Sequence, residues 1–238
     1  MQQLPKAVLF DLDGTLIDSA SDLTVAVDRM LSELSLPKAG FERVSSWIGN
    51  GAQKLIERAL TFAVSESSAS GSSKDLYLEA RSIFDRVYSE CCARATGLYP
   101  GAEELLLWCR EVDLPLALIT NKPEQFTHQI LSSLSLAQYF QVVVGGDTLE
   151  ERKPSSLPLT FSANQLGVDL DDCWMVGDSR SDVVAGRSAG CSVIGMTYGY
   201  NHGRSVAEEN PDFVCDSLNI LLDRLKRLHS EQRQEISA

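Results

Sequence analysis

The chain has 238 residues, 44% of them hydrophobic, which is enough to bury the core of one large domain or of two unequal ones. Its 33 acidic and 21 basic residues give a formal net charge of −12, which argues against binding to the phosphate backbone of a nucleic acid. The longest apolar runs are far shorter than the roughly 20 residues that cross a membrane, so we expect no membrane span.

Two features indicate the cellular compartment. The first residues, MQQLPKAVLF, lack the long apolar block and the cleavage site of a signal peptide, so we expect a cytoplasmic protein. The six cysteines form no C-x-x-C pair and have no zinc-ligand spacing, so we expect reduced and mostly buried thiols.

The first predicted strand covers residues 7–10, and a long helical stretch follows it. Apolar residues at helical spacing recur around Leu23–Leu34, Leu55–Leu60 and Ile83–Tyr88, and no segment between residues 19 and 95 reads as a strand. A serine-rich segment, VSESSASGSSKD, separates the last two helices and is expected to be a mobile loop. We therefore predict an inserted helical domain over residues 18–96.

From residue 97 onward, short apolar segments alternate with amphipathic ones. Strands are predicted at 115–119, 142–144, 173–176, 192–196 and 212–214, and helices at 101–111, 123–134, 158–166, 181–189 and 218–229. This alternation predicts an α/β fold with a doubly wound parallel sheet, a Rossmann-like core formed by residues 1–17 and 97–238. The polar end, residues 230–238, is expected to be frayed.

Four polar clusters follow predicted strands. They are Asp11 with Asp13, then Thr120-Asn121-Lys122, then Lys153, and finally Gly177-Asp178-Ser179 with Asp182. A single acid at such a position is more often a turn former or a helix cap. Because the carboxyl ends of parallel strands meet at one edge of a sheet, four clusters in consecutive units instead predict a ligand site there.

The carboxylates of such a site would repel one another, and a hard divalent cation such as Mg²⁺ relieves that repulsion while bridging to a substrate phosphate. Lys153 adds a positive charge that can hold an anionic group. An ionised carboxylate can also attack phosphorus, and a second acid two residues along an extended segment faces the same side. That second acid can protonate the departing oxygen and then activate water. Gly14 permits a tight turn, and Thr15 offers a hydroxyl and an N–H group to an anion.

The four motifs DLDGT, TN, a lysine followed by proline, and GDSRSD occur in the order that characterises the haloacid dehalogenase-like hydrolase superfamily, which the chain resembles over nearly its whole length. The resemblance implies a mobile helical cap inserted after the first motif. It also implies that Asp11 is the nucleophile and Asp13 the general acid/base. Mg²⁺ would be bound by Asp11, the Asp13 carbonyl and Asp178, with Asp182 behind these ligands. Thr120 and Asn121 would hold the phosphoryl group, together with Gly14 and Thr15, and Lys153 would neutralise it. Relatives often carry Lys-Pro-x-Pro, whereas this chain reads Lys153-Pro154-Ser155-Ser156.

Within the superfamily, WIGNGAQKLIERAL and TYGYNHG are similar to segments of phosphoglycolate phosphatases. The N–H groups of Gly49-Asn50-Gly51 precede a helix and could receive a small carboxylate, and Arg43 could reach an anion. On this resemblance we expect Asn50, Gly51 and Arg43 to contact substrate. An ordinary loop-to-helix junction and a solvated arginine are the alternatives, and Tyr198 and His202 could line the mouth of the site.

The predicted function is the Mg²⁺-dependent hydrolysis of a small anionic phosphate ester, with 2-phosphoglycolate as the leading substrate. A sugar phosphate, such as an amino-sugar 6-phosphate, is the nearest alternative. A β-phosphoglucomutase-like isomerase is a second one, but such enzymes usually carry glycine where this chain has Asp182. A receiver-like signalling domain would place its acidic pair and acceptor on different strands and would have no helical cap. The sequence leaves monomer and homodimer open.

Overall fold

The computed structural model describes residues 3–67 and 74–237. Its strands are β1 Ala7–Phe10, β2 Ile17–Asp18, β3 Gly97–Leu98, β4 Leu116–Ile119, β5 Val142–Val144, β6 Cys173–Gly177, β7 Ser192–Met196 and β8 Phe213–Cys215. Its α-helices are α1 Ala20–Glu33, α2 Phe41–Trp47, α3 Gly51–Glu66, α4 Lys74–Cys91, α5 Ala102–Glu111, α6 Glu124–Ser133, α7 Leu157–Leu166, α8 Arg180–Ala189 and α9 Leu218–Ser237.

The main sheet has six parallel strands in the order β5-β4-β1-β6-β7-β8. Strand β1 lies at its centre, where Leu9 is in register with Ala117 of β4 and with Met175 of β6. The chain first extends the sheet on the β4 side and then returns to extend it on the β6 side. Ligands of open α/β sheets bind at such a reversal, outside the carboxyl ends of the strands.

The two faces of the sheet are covered by different helices, which confirms the predicted doubly wound fold. Val8 and Phe10 face one hydrophobic cluster, to which helices α5, α6 and α9 contribute. Ala7 and Leu9 point to the opposite face and pack in a second cluster with α7 and α8. Side chains alternate between the faces of a strand, so a strand that is apolar at every position must be buried on both sides.

Helices α1 to α4 occupy the interval between β2 and β3, and α1 packs along α4. At the two points where the chain enters and leaves this helical block, β2 and β3 form a short antiparallel pair, with Ile17 opposite Leu98. The central part of the expected serine-rich loop, residues 68–73, lies outside the described residues. Its flanks, which were expected to be loop, belong to the ends of α3 and α4.

Three elements differ from the sequence-based expectation. Helix α2 was not predicted, because it has seven residues and buries only Val44, which leaves no periodicity to detect. The pair of β2 and β3 has two residues in each strand, too few for an alternating pattern. Helix α9, which was predicted to end at residue 229, continues to Ser237 through the segment that was expected to be frayed. The glutamate, glutamine and arginine residues there favour helix, and no proline or glycine stops it.

All six cysteines are buried free thiols, as expected. Every helix within residues 3–67 and 74–237 is too short or too polar to span a bilayer.

Candidate active site

The two acids of the first motif lie at the tip of β1, and each meets a buried lysine. Asp11 and Asp13 are 7% and 9% exposed. The Asp11 Oδ1 atom accepts a hydrogen bond from Lys153 Nζ at 2.7 Å. The Asp13 Oδ1 atom accepts one from Ser19 Oγ at 2.5 Å and lies 3.0 Å from Lys122 Nζ. Each carboxylate is therefore buried and held in place by a cation.

Asp178 follows β6 and is held against the turn after β1. Its Oδ1 atom accepts a hydrogen bond from Thr15 Oγ1 at 2.9 Å, and its Oδ2 atom accepts one from the Tyr200 N–H group. Gly14 has φ +90, and a Cβ atom at this position would lie 2.4 Å from Asp178 Oδ2. Glycine at position 14 thus allows the turn of the first motif to approach the carboxylate of the fourth.

Lys153 lies between two acids, Asp11 after β1 and Asp182 in α8, and pairs with both. Its Nζ atom lies 2.7 Å from Asp11 Oδ1 and 2.7 Å from Asp182 Oδ1, and it also donates a hydrogen bond to the Ile119 carbonyl. The other oxygen of Asp182 accepts hydrogen bonds from the N–H group and the hydroxyl of Ser179, which anchors it at the start of α8. Asp182 therefore positions the lysine.

Charge and burial act together on these groups. Burial raises the pKa of Asp11 to about 7, although the positive charge of Lys153 opposes the shift. Burial also raises the pKa of Asp178 well above its ordinary value, and the negative charges of Asp11 and Asp182 add to this effect. Burial lowers the pKa of Lys153, but the ion pairs with Asp11 and Asp182 outweigh it, so its pKa is raised. With all three carboxylates ionised, the cluster would carry more negative charge than Lys153 balances.

This donor set fits a hard divalent cation. Asp11, Asp178 and Asp182 each offer a carboxylate oxygen, and these oxygens all lie within 4.8 Å of one another. Oxygen ligands and a surplus of negative charge are what Mg²⁺ and similar ions require. A bound cation would lower the raised pKa values of the carboxylates by stabilising their charged forms.

A cavity of about 40 Å³ opens beside the two acids of the first motif. The sheet side contributes polar groups, namely Asp11, Asp13, Thr120, Asn121 and Lys122. The helical block contributes mostly apolar ones, which include Leu23, Ile48, Leu55, Phe84 and Tyr88. The cavity therefore has a charged wall and an apolar wall.

Direct contacts hold the helical block over the sheet edge. Asn121 Nδ2 donates hydrogen bonds to the Gly49 carbonyl at 3.2 Å and to the Lys153 carbonyl at 3.0 Å. Lys122 Nζ donates one to Tyr88 Oη at 2.9 Å. Two more contacts lie at the rim, one between Asn50 and Ser181 and one between Ser46 and His202. The structure thus shows the block docked on the site.

Comparison with known proteins gives consistent results. A family model described as haloacid dehalogenase-like hydrolase matches residues 8–196. A curated phosphoglycolate phosphatase of Pseudomonas savastanoi pv. phaseolicola is 46% identical over 220 residues, which cover 92% of this chain and 79% of that protein. The phosphoglycolate phosphatase of Salmonella paratyphi A is 43% identical, with 96% of each chain covered. The crystal structure of a predicted phosphoglycolate phosphatase from Haemophilus somnus 129pt matches with a TM-score of 0.87 and 34% identity, covering 93% of this chain and 97% of that one.

This chain is a haloacid dehalogenase-like hydrolase. The motifs that follow one another along the sequence come together in one compact site at the edge of the sheet. The structure brings Asp11, Asp13, Lys153, Asp178 and Asp182 together there, with Thr120 and Asn121 beside them in the cavity wall.

Two residues of the first motif have partners within the hydrolase site. The Gly14 N–H group donates to the Ile17 carbonyl, and the Thr15 hydroxyl donates to Asp178. Both residues therefore help to position the Asp178 carboxylate. The expectation that Gly14 and Thr15 bind phosphate stays a prediction.

Two of the residues expected to contact substrate from the cap, Arg43 and Asn50, have partners within the protein in this structure, and their contact with substrate stays a prediction. The Arg43 guanidinium stacks on the Phe62 ring at 4.6 Å and does not line the cavity. The Asn50 side chain accepts a hydrogen bond from Arg58 at 2.7 Å and donates one to Ser181, so it joins cap to core. Gly51 does line the cavity, with φ +82. A Cβ atom there would lie 2.7 Å from the Asn121 carbonyl oxygen.

Sequence reasoning assigned no role to Lys122 or Tyr88, which meet in the cavity wall of this hydrolase. Lys122 directly follows Thr120 and Asn121, and this position in the sequence was the one sign that it belongs to the site. Tyr88 lies in a helical stripe of apolar residues, which reads as core. Only the docking of α4 on the sheet edge shows that its hydroxyl meets the lysine.

Proposed function

We propose that this chain is a Mg²⁺-dependent phosphatase that hydrolyses 2-phosphoglycolate to glycolate and phosphate. The observation that carries this proposal is the buried set of Asp11, Asp13, Lys153 and Asp178 beside a cavity of about 40 Å³. The names of the relatives at 43–46% identity support the substrate. The buried free thiols of all six cysteines support the cytoplasm as its compartment.

In the first step, a carboxylate oxygen of Asp11 attacks phosphorus, and the bond from phosphorus to the leaving oxygen breaks. Lys153 holds Asp11 in position at 2.7 Å and balances charge on the phosphoryl group. Asp13 donates a proton to the leaving oxygen, so glycolate departs as an alcohol rather than an alkoxide. Thr120 and Asn121 line the same wall and are the proposed contacts of the phosphoryl oxygens.

In the second step, water attacks the phosphorus of the aspartyl-phosphate. Asp13 takes a proton from that water, the bond between phosphorus and Asp11 breaks, and phosphate leaves with Asp11 restored as a carboxylate. Each catalytic group thus returns to its starting state. Little covalent assistance is needed in phosphoryl transfer, so positioning and charge compensation provide most of the rate enhancement.

Mg²⁺ is the proposed metal, held by Asp11, Asp178 and the Asp13 carbonyl, with Asp182 behind them. When bound, the ion supplies positive charge to the phosphoryl oxygens and offsets the mutual repulsion of the carboxylates. One Asp182 oxygen is paired with Lys153 at 2.7 Å and the other accepts two hydrogen bonds from Ser179, and for this reason we assign Asp182 a supporting position.

Metal binding is expected to stabilise the protein more at about pH 7.5 than at about pH 5.5. The folded-state pKa of Asp11, about 7, is above the ordinary value of 3.8, so the metal-free protein loses stability as pH rises between these values. A divalent cation binds the ionised carboxylates and reverses this loss. Thermal unfolding of EDTA-treated protein, with and without MgCl₂ at both pH values, measures the effect. Equal shifts in Tm at the two pH values would contradict the expected pH dependence of metal binding. Full activity in EDTA would show that the reaction does not need the metal.

We further propose that residues 18–96 form a cap that excludes water, and that residues 1–17 and 97–238 form the catalytic core. Three observations support this division. Helices α1 to α4 supply the apolar wall of the cavity, β2 and β3 pair at the junction, and hydrogen bonds such as that from Asn121 to Gly49 join the two parts. Opening at the junction would admit substrate and release products.

The lining of the cavity bears on the choice among the candidate substrates. The wall from the helical block is mostly apolar and offers few hydrogen-bond partners to the hydroxyl groups of a sugar, which favours a small leaving group. We expect 2-phosphoglycolate to give the highest kcat/KM in a panel with amino-sugar 6-phosphates, glucose 1-phosphate and an aryl phosphate. A sugar phosphate ranking first would overturn the proposed substrate. Formation of glucose 6-phosphate instead of free phosphate would indicate a mutase.

A further inference from the structure

We propose that Lys122 binds the carboxylate of the substrate and thereby selects an anionic leaving group. This inference rests on the proposed function and adds to it the residue that selects the substrate. Among the described residues that line the cavity, Lys122 is the only cation, and it is 5% exposed. A buried ammonium in a ligand cavity attracts an anion strongly, because the surrounding apolar groups weaken the interaction little.

The position of Lys122 matches the chemistry of the leaving group. Its Nζ atom lies 3.0 Å from Oδ1 of Asp13, the residue that is proposed to protonate the leaving oxygen. In 2-phosphoglycolate a single CH₂ group separates that oxygen from the carboxylate. A cation adjacent to Asp13 is therefore within reach of the substrate carboxylate when the leaving oxygen contacts Asp13.

The hydrogen-bonding capacity of Lys122 also leaves room for a ligand. An ammonium group has three N–H donors, and the described residues supply two partners, Asp13 and Tyr88 Oη. The Nζ atom also lies 5.0 Å from the centre of the Tyr88 ring, so helix α4 positions it. The third donor is available to a substrate oxygen.

Three other cations among the described residues near the cavity have partners of their own. Lys153 is bound to Asp11, Asp182 and the Ile119 carbonyl, which places its charge beside the proposed nucleophile and toward the phosphoryl group. Arg58 donates to the Trp47 carbonyl and to Asn50, and Arg43 stacks on Phe62. We therefore assign the binding of the substrate carboxylate to Lys122 of the core rather than to a cation of the cap.

The test compares 2-phosphoglycolate with its neutral amide, 2-phosphoglycolamide, which has nearly the same shape. In Mg²⁺-saturated wild-type enzyme we expect a clear preference for the carboxylate in kcat/KM. Lys122→Met should reduce that preference by roughly 10- to 100-fold, because a charge-assisted hydrogen bond is removed. Tyr88→Phe is the matched control, since it keeps the cation and should retain most of the preference.

Two further measurements address folding and binding. Lys122→Gln offers a polar replacement in case Lys122→Met does not fold, and the same loss of preference is expected. In the wild-type enzyme, glycolate should inhibit competitively and more strongly than glycolamide, and this difference should vanish in either Lys122 variant.

The possible outcomes separate the two proposals. If wild-type enzyme does not favour 2-phosphoglycolate within the ester panel, the proposed function fails. If the wild type favours it and both Lys122 variants keep the full preference for carboxylate over amide, the proposed function stands and the role of Lys122 is wrong.

Discussion

Asp11→Asn is expected to lower kcat for phosphate release by about 10⁴-fold or more, a loss typical of removing a catalytic nucleophile. An amide oxygen is a poor nucleophile toward phosphorus, whereas the carboxylate of Asp11 is directed into the cavity by Lys153 at 2.7 Å. The substitution conserves the size of the side chain, so the fold should be retained. Release of inorganic phosphate from 2-phosphoglycolate at saturating Mg²⁺ measures the effect.

The control for this variant is Asp171→Asn, which makes the same chemical change at an exposed residue far along the chain. It should leave kcat within about twofold of the wild type, as surface substitutions usually have small effects. Acid-quenched wild-type enzyme should also carry one phosphoryl group on the peptide that contains Asp11. Turnover by Asp11→Asn at the wild-type rate would show that another group attacks phosphorus.

Lys153→Met is expected to lower the free energy of unfolding by about 3–5 kcal/mol. Lys153 is 2% exposed, and its ammonium group forms ion pairs at 2.7 Å with Asp11 and with Asp182. Its removal leaves two buried carboxylates without their cation. The same variant should lose most of its activity, because Asp11 is no longer held and the phosphoryl charge is no longer balanced. Urea unfolding in EDTA gives the free energy directly.

Lys6→Met provides the matched control, because Lys6 also pairs with an aspartate at 2.7 Å but is largely exposed. Its loss should change the free energy of unfolding far less than the loss of Lys153 does, because water screens an exposed ion pair. Mg²⁺ should restore part of the stability of Lys153→Met, since it also compensates the carboxylates. Equal destabilisation by the two substitutions would mean that Lys153 is not the charge on which the buried cluster depends.

The sequence by itself determined the central features of the fold. The apolar run of β1 and the alternation after residue 97 predicted a doubly wound sheet, because only strands covered on both faces are apolar at every position. The polar residues after β1, β4 and β6 then indicated one edge as the site. This followed from the geometry of parallel sheets alone, since the carboxyl ends of their strands meet.

Only the tertiary structure decided what each polar group does within that edge. Thr15 and Asn50 had suitable chemistry for substrate binding, but their hydrogen bonds are made to Asp178, Arg58 and Ser181. Local sequence does not encode such partners, because they come from segments more than one hundred residues away or from a neighbouring turn of the cap. Lys122 and Tyr88 show the converse: 34 positions separate them, and they meet only because α4 docks on the sheet edge. Motif spacing thus determined where the chemistry lies, and long-range packing decided which side chains remain available to a ligand.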